Sequence, residues 1–243
     1  MGERVKDFGT NEETQPPPDV APPPPAEKAM RSRTVFKVTV AVSIVGALFV
    51  WIEWHRLFMR EYRNRPQDQA MSNLHQIGLA LMEFEKDYGS YPDGDTIARV
   101  KETTSTDLSL GTANSNDFFR QLLAAGYGNE NMNYARIPGS RSPDGVIAGT
   151  GALKKGECGF AYIPGLSSSD NAHTPVLITP LVPGTDKIDP VPFGGKAIIL
   201  RIDGSAQEGM ADKDGHLIIF GKRLLDPTNP IWNGKPPTLV WPE

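Results

Sequence analysis

The sequence predicts an α+β fold, in which a long N-terminal helix packs on an antiparallel β-sheet head with long loops. An apolar stretch of twenty residues, 35–54, is followed by an amphipathic helical pattern over 67–88. Beyond residue 95 the chain alternates short β-branched runs with irregular stretches. Seven of the 22 prolines lie in 1–25, and many of the remaining fifteen (22 − 7) separate those runs. Prolines placed in this way predict long ordered loops rather than tight meanders.

Composition and charge narrow the class of partner. The net charge is −4 and both signs are dispersed along the chain, so no basic face predicts binding to nucleic acid. Cys158 is the only cysteine, which excludes a disulfide within the chain. It precedes the apolar run Gly159-Phe-Ala-Tyr. That position favours a packed side chain over a nucleophile.

Residues 1–34 are predicted to form a disordered, proline-rich tail. The string PPPDVAPPPP lies among mixed charges and few large apolar residues, and such a segment buries too little surface to offset its ordering entropy. Its prolines favour extended polyproline II geometry. A solvated spacer is the favoured interpretation, and a ligand for a proline-binding partner is the alternative.

Residues 35–54 have the length and composition of a transmembrane helix. Lys37 and Glu53 lie only near the ends of the stretch, and twenty helical residues cross a hydrocarbon core of roughly 30 Å. Trp51 and Trp54 suit the interfacial belt. The alternative is a buried helix of a soluble core, which would need a partner on every face. Four basic residues stand on each side of the stretch, so charge alone leaves the orientation open.

An amphipathic helix is predicted over 67–88. Pro66 either opens it or kinks a longer helix, and Gly89 with Pro92 ends it. Gly78 and Ala80 leave small patches where a neighbouring backbone can approach. The apolar stripe recurs at intervals of three or four residues: Met71, Leu74, Ile77, Leu81, Phe84 and Tyr88.

The head after residue 95 is predicted to contain a short helix and four strands. The helix covers 117–126, with Ser115 or Asn116 as its cap. The turn pair Asp203-Gly204 follows the strongest strand pattern and predicts a hairpin. The four predicted strands are 159–163, 176–179, 196–202 and 216–220.

The stretch NLHQIGLALMEFEKDYGSYPDG resembles the segment that follows the membrane span in type IV pilins and type II secretion pseudopilins. Three downstream pieces, SNDFFRQLLAAGY, GFAYIPGLSSSDNAHTPVLITPL and PFGGKAIILRIDGS, look similar to the heads of one pseudopilin subgroup. The residues of the helical segment that match the family pattern are Asn73, Leu74, Gln76, Ile77, Gly78, Leu79, Ala80, Leu81, Tyr88, Gly89 and Pro92.

The resemblance implies a pilin-like fold and a non-enzymatic structural role in a type II secretion or type IV pilus-like assembly. It places the chain in the bacterial inner membrane as a single-pass protein, with the tail cytoplasmic and the head, 55–243, periplasmic. The implied partners are the membrane and other pilin-like or secretion-system subunits, and a homo-oligomer through the membrane helix stays open. The candidate assembly residues are Gly46, Leu74, Ile77, Gly78 and Leu81.

The start of the apolar stretch departs from the family pattern. Family members carry a Gly-Phe cleavage junction followed by a glutamate fifth in the mature chain. Residues 33–39, Arg-Thr-Val-Phe-Lys-Val-Thr, contain neither the glycine nor an acid, and Glu53 lies at the opposite end. The sequence therefore predicts a divergent, uncleaved and membrane-tethered relative.

Few sequence motifs indicate a catalytic, metal-binding or cofactor-binding site. The four histidines are scattered without metal spacing. Asp212-Lys-Asp214-Gly215 resembles the start of a calcium loop, but the closing acid of an EF-hand is missing. A turn between strands is the favoured interpretation, with calcium as the minor one and no other cofactor expected. Two alternative functions remain: a tethered extracytoplasmic binding module that captures a protein or ligand through its head loops, and a hydrolase hidden in those loops.

Overall fold

The computed structural model describes residues 26–128 and 132–243, and their side chains except those of 26–39, 41 and 56–65. The tail residues 1–25 lie outside this description. The chain separates into two compact units, Met1–Leu57 and Phe58–Glu243. All of the described strands lie in the second unit.

Helix α1, Ala26–Tyr88, is 63 residues long and contains Pro66 in its interior. It begins at Ala26, inside the segment 1–34 that was assigned to the proline-rich tail from the sequence. Ala26, Glu27 and Lys28 are good helix formers. Gly89 ends the helix as predicted: its φ is +86° and its N–H donates to the carbonyl of Glu85 at 2.7 Å.

Three further helices lie in the head: α2 (Thr96–Thr104), α3 (Ser115–Ala124) and α4 (Pro190–Phe193). Helix α3 confirms the predicted short helix, although it begins two residues earlier than expected. Its cap is Asn114, whose side-chain oxygen accepts a hydrogen bond from the Asp117 N–H at 3.0 Å. Helix α2 was not predicted.

The sheet is antiparallel and its six strands follow one another in chain order. The predicted strands correspond to β1, β2, β3 and β5, and the Asp203-Gly204 turn joins β3 to β4 as expected. Strands β4 and β6 were missed. The strands are β1 (Ala161–Tyr162), β2 (Pro175–Thr179), β3 (Ala197–Arg201), β4 (Ala206–Ala211), β5 (Leu217–Ile219) and β6 (Lys222–Arg223).

Alternating side chains divide the sheet between two hydrophobic clusters. Ile198 and Leu200 of β3 pack with the apolar stripe of α1 and with the phenylalanines of α3. Ile199 of the same strand packs on the other cluster, which includes Trp232 and Leu239 from the C-terminal segment. The sheet therefore lies between helices on one face and an irregular C-terminal segment on the other.

Candidate functional site

Residues 40–54 of α1, which we call the apolar segment, expose many large apolar side chains. Gly46 lies among them, and a Cβ atom built on it meets nothing within 4 Å. The ten exposed side chains are Val40, Val42, Ile44, Val45, Leu48, Phe49, Val50, Trp51, Ile52 and Trp54. A contiguous apolar surface of this kind is costly in water and typically marks an interaction site.

The predicted span 35–54 overlaps residues 35–39 and 41, whose side chains lie outside the description. Within the part of the chain that is described, no helix is both long enough and apolar enough to cross a membrane.

Four of the five candidate assembly residues are buried in the head. Leu74 and Ile77 are fully buried and Leu81 is 1% exposed. A Cβ atom on Gly78 would lie 3.0 Å from Leu200 of the sheet, so glycine at this position allows close approach of helix and strand. The side chains of this stripe hold α1 on the sheet, and they are not at the surface of the described chain. Of the candidates, Gly46 alone belongs to the exposed apolar segment.

The candidate calcium residues lie in the turn between β4 and β5. One carboxylate oxygen of Asp212 accepts hydrogen bonds from the N–H groups of Asp214 and His216, each at 2.9 Å. Arg223 forms ion pairs with Asp212 at 2.9 Å and with Asp214 at 3.2 Å. The two acids therefore lie in a turn between strands, where Asp212 accepts backbone hydrogen bonds and both carboxylates pair with Arg223. Among the described side chains, no group of three or more His, Cys, Asp or Glu is placed to hold a metal ion.

Asp186 and His216 form a pair that the sequence did not indicate. The His216 Nδ1 lies 2.5 Å from one Asp186 carboxylate oxygen, and the Leu225 N–H donates to the other at 3.1 Å. The Leu217 N–H also donates to the Asp186 backbone carbonyl at 2.8 Å. The buried carboxylate of Asp186 therefore connects the loop after β2 with His216, which directly precedes β5, and with Leu225, which follows β6. Thirty residues separate the pair, so no local spacing could have revealed it.

Cys158 is a buried, protonated thiol. Its Sγ lies 3.7 Å from the hydroxyl of Ser115 and 3.7 Å from the carbonyl of Phe160. Burial raises the pKa of the thiol to about 11, because the charged form loses its hydration. A thiol in this state packs as a small apolar group.

The head carries an open groove of about 520 Å³, which we call the proline-lined groove. Arg141 and Asp189 are the charged residues at its edge, and the rim includes Val191, which is 84% exposed. Its size and apolar lining lie within the range of binding sites for small ligands or peptide segments. The prolines that line it are Pro138, Pro180, Pro183, Pro192 and Pro242.

Comparison with protein-family models, with curated proteins and with solved structures finds no match to this chain.

Proposed function

We propose that this chain is a membrane-anchored, pseudopilin-like structural component of a type II secretion or type IV pilus-like assembly, without enzymatic activity. In this proposal the apolar stretch 35–54 anchors the chain in the bacterial inner membrane. The tail lies in the cytoplasm and the head in the periplasm. Other pilin-like or secretion-system subunits, including further copies of the chain, are the partners.

One observation carries the proposal. Helix α1 is continuous from Ala26 to Tyr88, so the same helix supplies the apolar segment and the stripe that fixes the head. Leu74, Ile77 and Phe84 are fully buried against the sheet and its neighbours. The large side chains of 40–54 are left exposed. A helix built in this way suits a subunit whose folded head is carried on a segment that associates with lipid or with other helices.

A second function, a tethered binding module, is favoured by the proline-lined groove. A preformed apolar groove with two charged residues at its edge can hold a peptide or small ligand without large reorganisation. In this alternative the apolar segment serves as an anchor only, and the head stays monomeric while it retains a partner.

The variant Gly46→Leu tests the structural role. Since nothing lies within 4 Å of a Cβ at this position, the variant leaves the head's melting temperature unchanged. A leucine would, however, hold neighbouring helices apart if they pack closely at Gly46. We therefore expect a clear loss of chemically cross-linked oligomers of the full chain in membranes.

The matched control is Ser72→Leu, which adds the same side chain at an exposed position of α1 within the head. It is expected to leave cross-linking as in the unaltered chain. Equal cross-linking of Gly46→Leu and the unaltered chain would contradict assembly through this part of the helix and would favour the binding module.

A further inference from the structure

We propose that residues 206–209 of strand β4, which we call the open edge, bind an extended segment of a partner protein as an additional strand of the sheet. The partner segment supplies backbone N–H and C=O groups to the edge and carries uncharged apolar side chains at alternate positions. The contact involves the head alone. It therefore goes beyond the proposed function and forms whether or not the chain joins an assembly.

Strand β4 changes partner along its length. Residues 206–209 pair with β3, whereas Met210 and Ala211 pair with β5. Strand β5 does not continue beside 206–209, because the chain turns away at Phe220 and Gly221, whose φ angles are +49° and +75°. On the side away from β3, no strand or isolated bridge of the described residues pairs with 206–209. This half of β4 is therefore an unpaired sheet edge.

The ladder with β3 shows which backbone groups the open edge presents. The Arg201 N–H donates to the Ser205 carbonyl at 3.0 Å, so Ser205 points towards β3. Successive residues of an antiparallel strand alternate in direction, so Gln207 also points towards β3, and Ala206 and Glu208 point away from it. Their N–H and C=O groups bond to no loop or turn backbone within the described chain. Groups arranged in this way are a template for an added strand.

The charged side chain at the open edge is held away from it. Both carboxylate oxygens of Glu208 accept hydrogen bonds from the Lys196 ammonium at 2.9 Å. Lys196 directly precedes β3, so the carboxylate is drawn across the sheet towards β3. A charge that covers an open edge blocks strand pairing. Here the ion pair leaves the backbone of the edge accessible.

A depression of about 480 Å³ lies between the open edge and the turn after β5, and it suits an apolar side chain. Ile199, Met210 and Phe220 line it, and the last two are 78% and 49% exposed. The charge of Arg201, which also lines the depression, lies beside that of Asp203, so an additional acid is not required there. A strand added at the edge would place every second side chain over this depression, where burial of apolar surface stabilises the contact.

Peptide binding to the purified full chain in detergent micelles tests the contact. The probe is a fluorescein-labelled heptapeptide of alternating threonine and valine, with a lysine at each end for solubility. The control probe has the same sequence with N-methyl groups on alternate residues, which removes the N–H groups needed to pair with β4. Fluorescence anisotropy measures both affinities. We expect the unmethylated probe to bind about tenfold more tightly or better, because only it completes the hydrogen bonds of the edge.

The variant Glu208→Pro removes one outward N–H of the open edge. The hydrogen bonds of Gln207 and Gly209 to β3 remain, because proline is tolerated in an edge strand where its nitrogen faces away from the ladder. We expect the dissociation constant of the unmethylated probe to rise about tenfold, with the melting temperature of the head unchanged. Glu208→Gln is the matched control. It removes the charge but keeps the N–H, and it is expected to bind the probe as the unaltered chain does.

Four results would overturn the proposal. The first is the absence of probe binding to the unaltered chain. The second is equal binding of the two probes, which shows apolar contact without backbone pairing and does not depend on how any variant folds. The third is unchanged binding by a folded Glu208→Pro chain. The fourth is a dimer of the unaltered chain in analytical ultracentrifugation that Glu208→Pro abolishes, because the edge would then pair with a second copy.

Discussion

Phe84→Ala is expected to lower the free energy of unfolding by about 3–5 kcal/mol, the range measured for truncating a buried phenylalanine. Phe84 is fully buried. Its ring stacks on Tyr88 with centroids 4.3 Å apart and meets Tyr127 edge-on at 6.4 Å. Removing the ring leaves a cavity where α1 joins the head. Urea unfolding of the full chain, followed by tryptophan fluorescence and circular dichroism, measures the loss.

Leu79→Ala is the control for this experiment because it truncates a side chain of the same helix that is 64% exposed. Its effect is expected to stay within about 0.5 kcal/mol. Comparable losses for the two variants would show that the 67–88 face of α1 does not pack on the head as described.

Arg120→Met is the second large effect, with an expected loss of about 3–5 kcal/mol, because it breaks a buried ion pair while leaving the partner in place. The guanidinium of Arg120 lies 2.5 Å from the Asp117 carboxylate, and the two side chains are 8% and 13% exposed. It also donates to the carbonyls of Ala152 at 2.7 Å and Leu153 at 3.1 Å. Methionine keeps much of the volume but removes these donors from the partly buried Asp117 carboxylate and from the carbonyls of Ala152 and Leu153.

The control for Arg120→Met is Lys196→Met, which breaks the ion pair between Lys196 and Glu208 on the surface. Those side chains are 50% and 46% exposed, and such pairs contribute about 0–1 kcal/mol. The same unfolding measurement applies to both variants. A loss for Arg120→Met no larger than that for Lys196→Met would contradict the role of Arg120 in holding α3 to the loop around Ala152.

The sequence predicted those elements that depend on neighbouring residues alone. Examples are the apolar stripe of α1, the end of that helix at Gly89 and the Asp203-Gly204 hairpin. Strand β4, AQEGMA, was missed because it lacks β-branched residues and so has a low strand propensity. The strand is stabilised instead by its antiparallel pairing with β3. Helix α2 was also missed, although Asp93 is a residue type that often caps the start of a helix. The carboxylate of Asp93 accepts a hydrogen bond from the Thr96 N–H at 2.8 Å.

The functional surfaces were less predictable because they depend on residues far apart in sequence. The proline-lined groove combines loops from 137 to 242, and the Asp186–His216 pair joins segments thirty residues apart. The candidate assembly residues were hard to assign for another reason. An amphipathic helix has the same sequence pattern whether its apolar face packs on its own sheet or on another subunit. Here Leu74, Ile77 and Leu81 pack in the core of their own head.

The most direct test of the structural role is the distribution of the native chain between soluble, membrane and sheared-surface fractions, with its N-terminus read by mass spectrometry. Membranes are washed at alkaline pH before analysis, which removes peripheral proteins. Our account predicts a chain that is not cleaved near Val35, so that it retains residues of the proline-rich tail, and that stays with the washed membranes. A chain found in the soluble fraction, or released by the wash, would contradict anchoring by residues 35–54 and with it the proposed function.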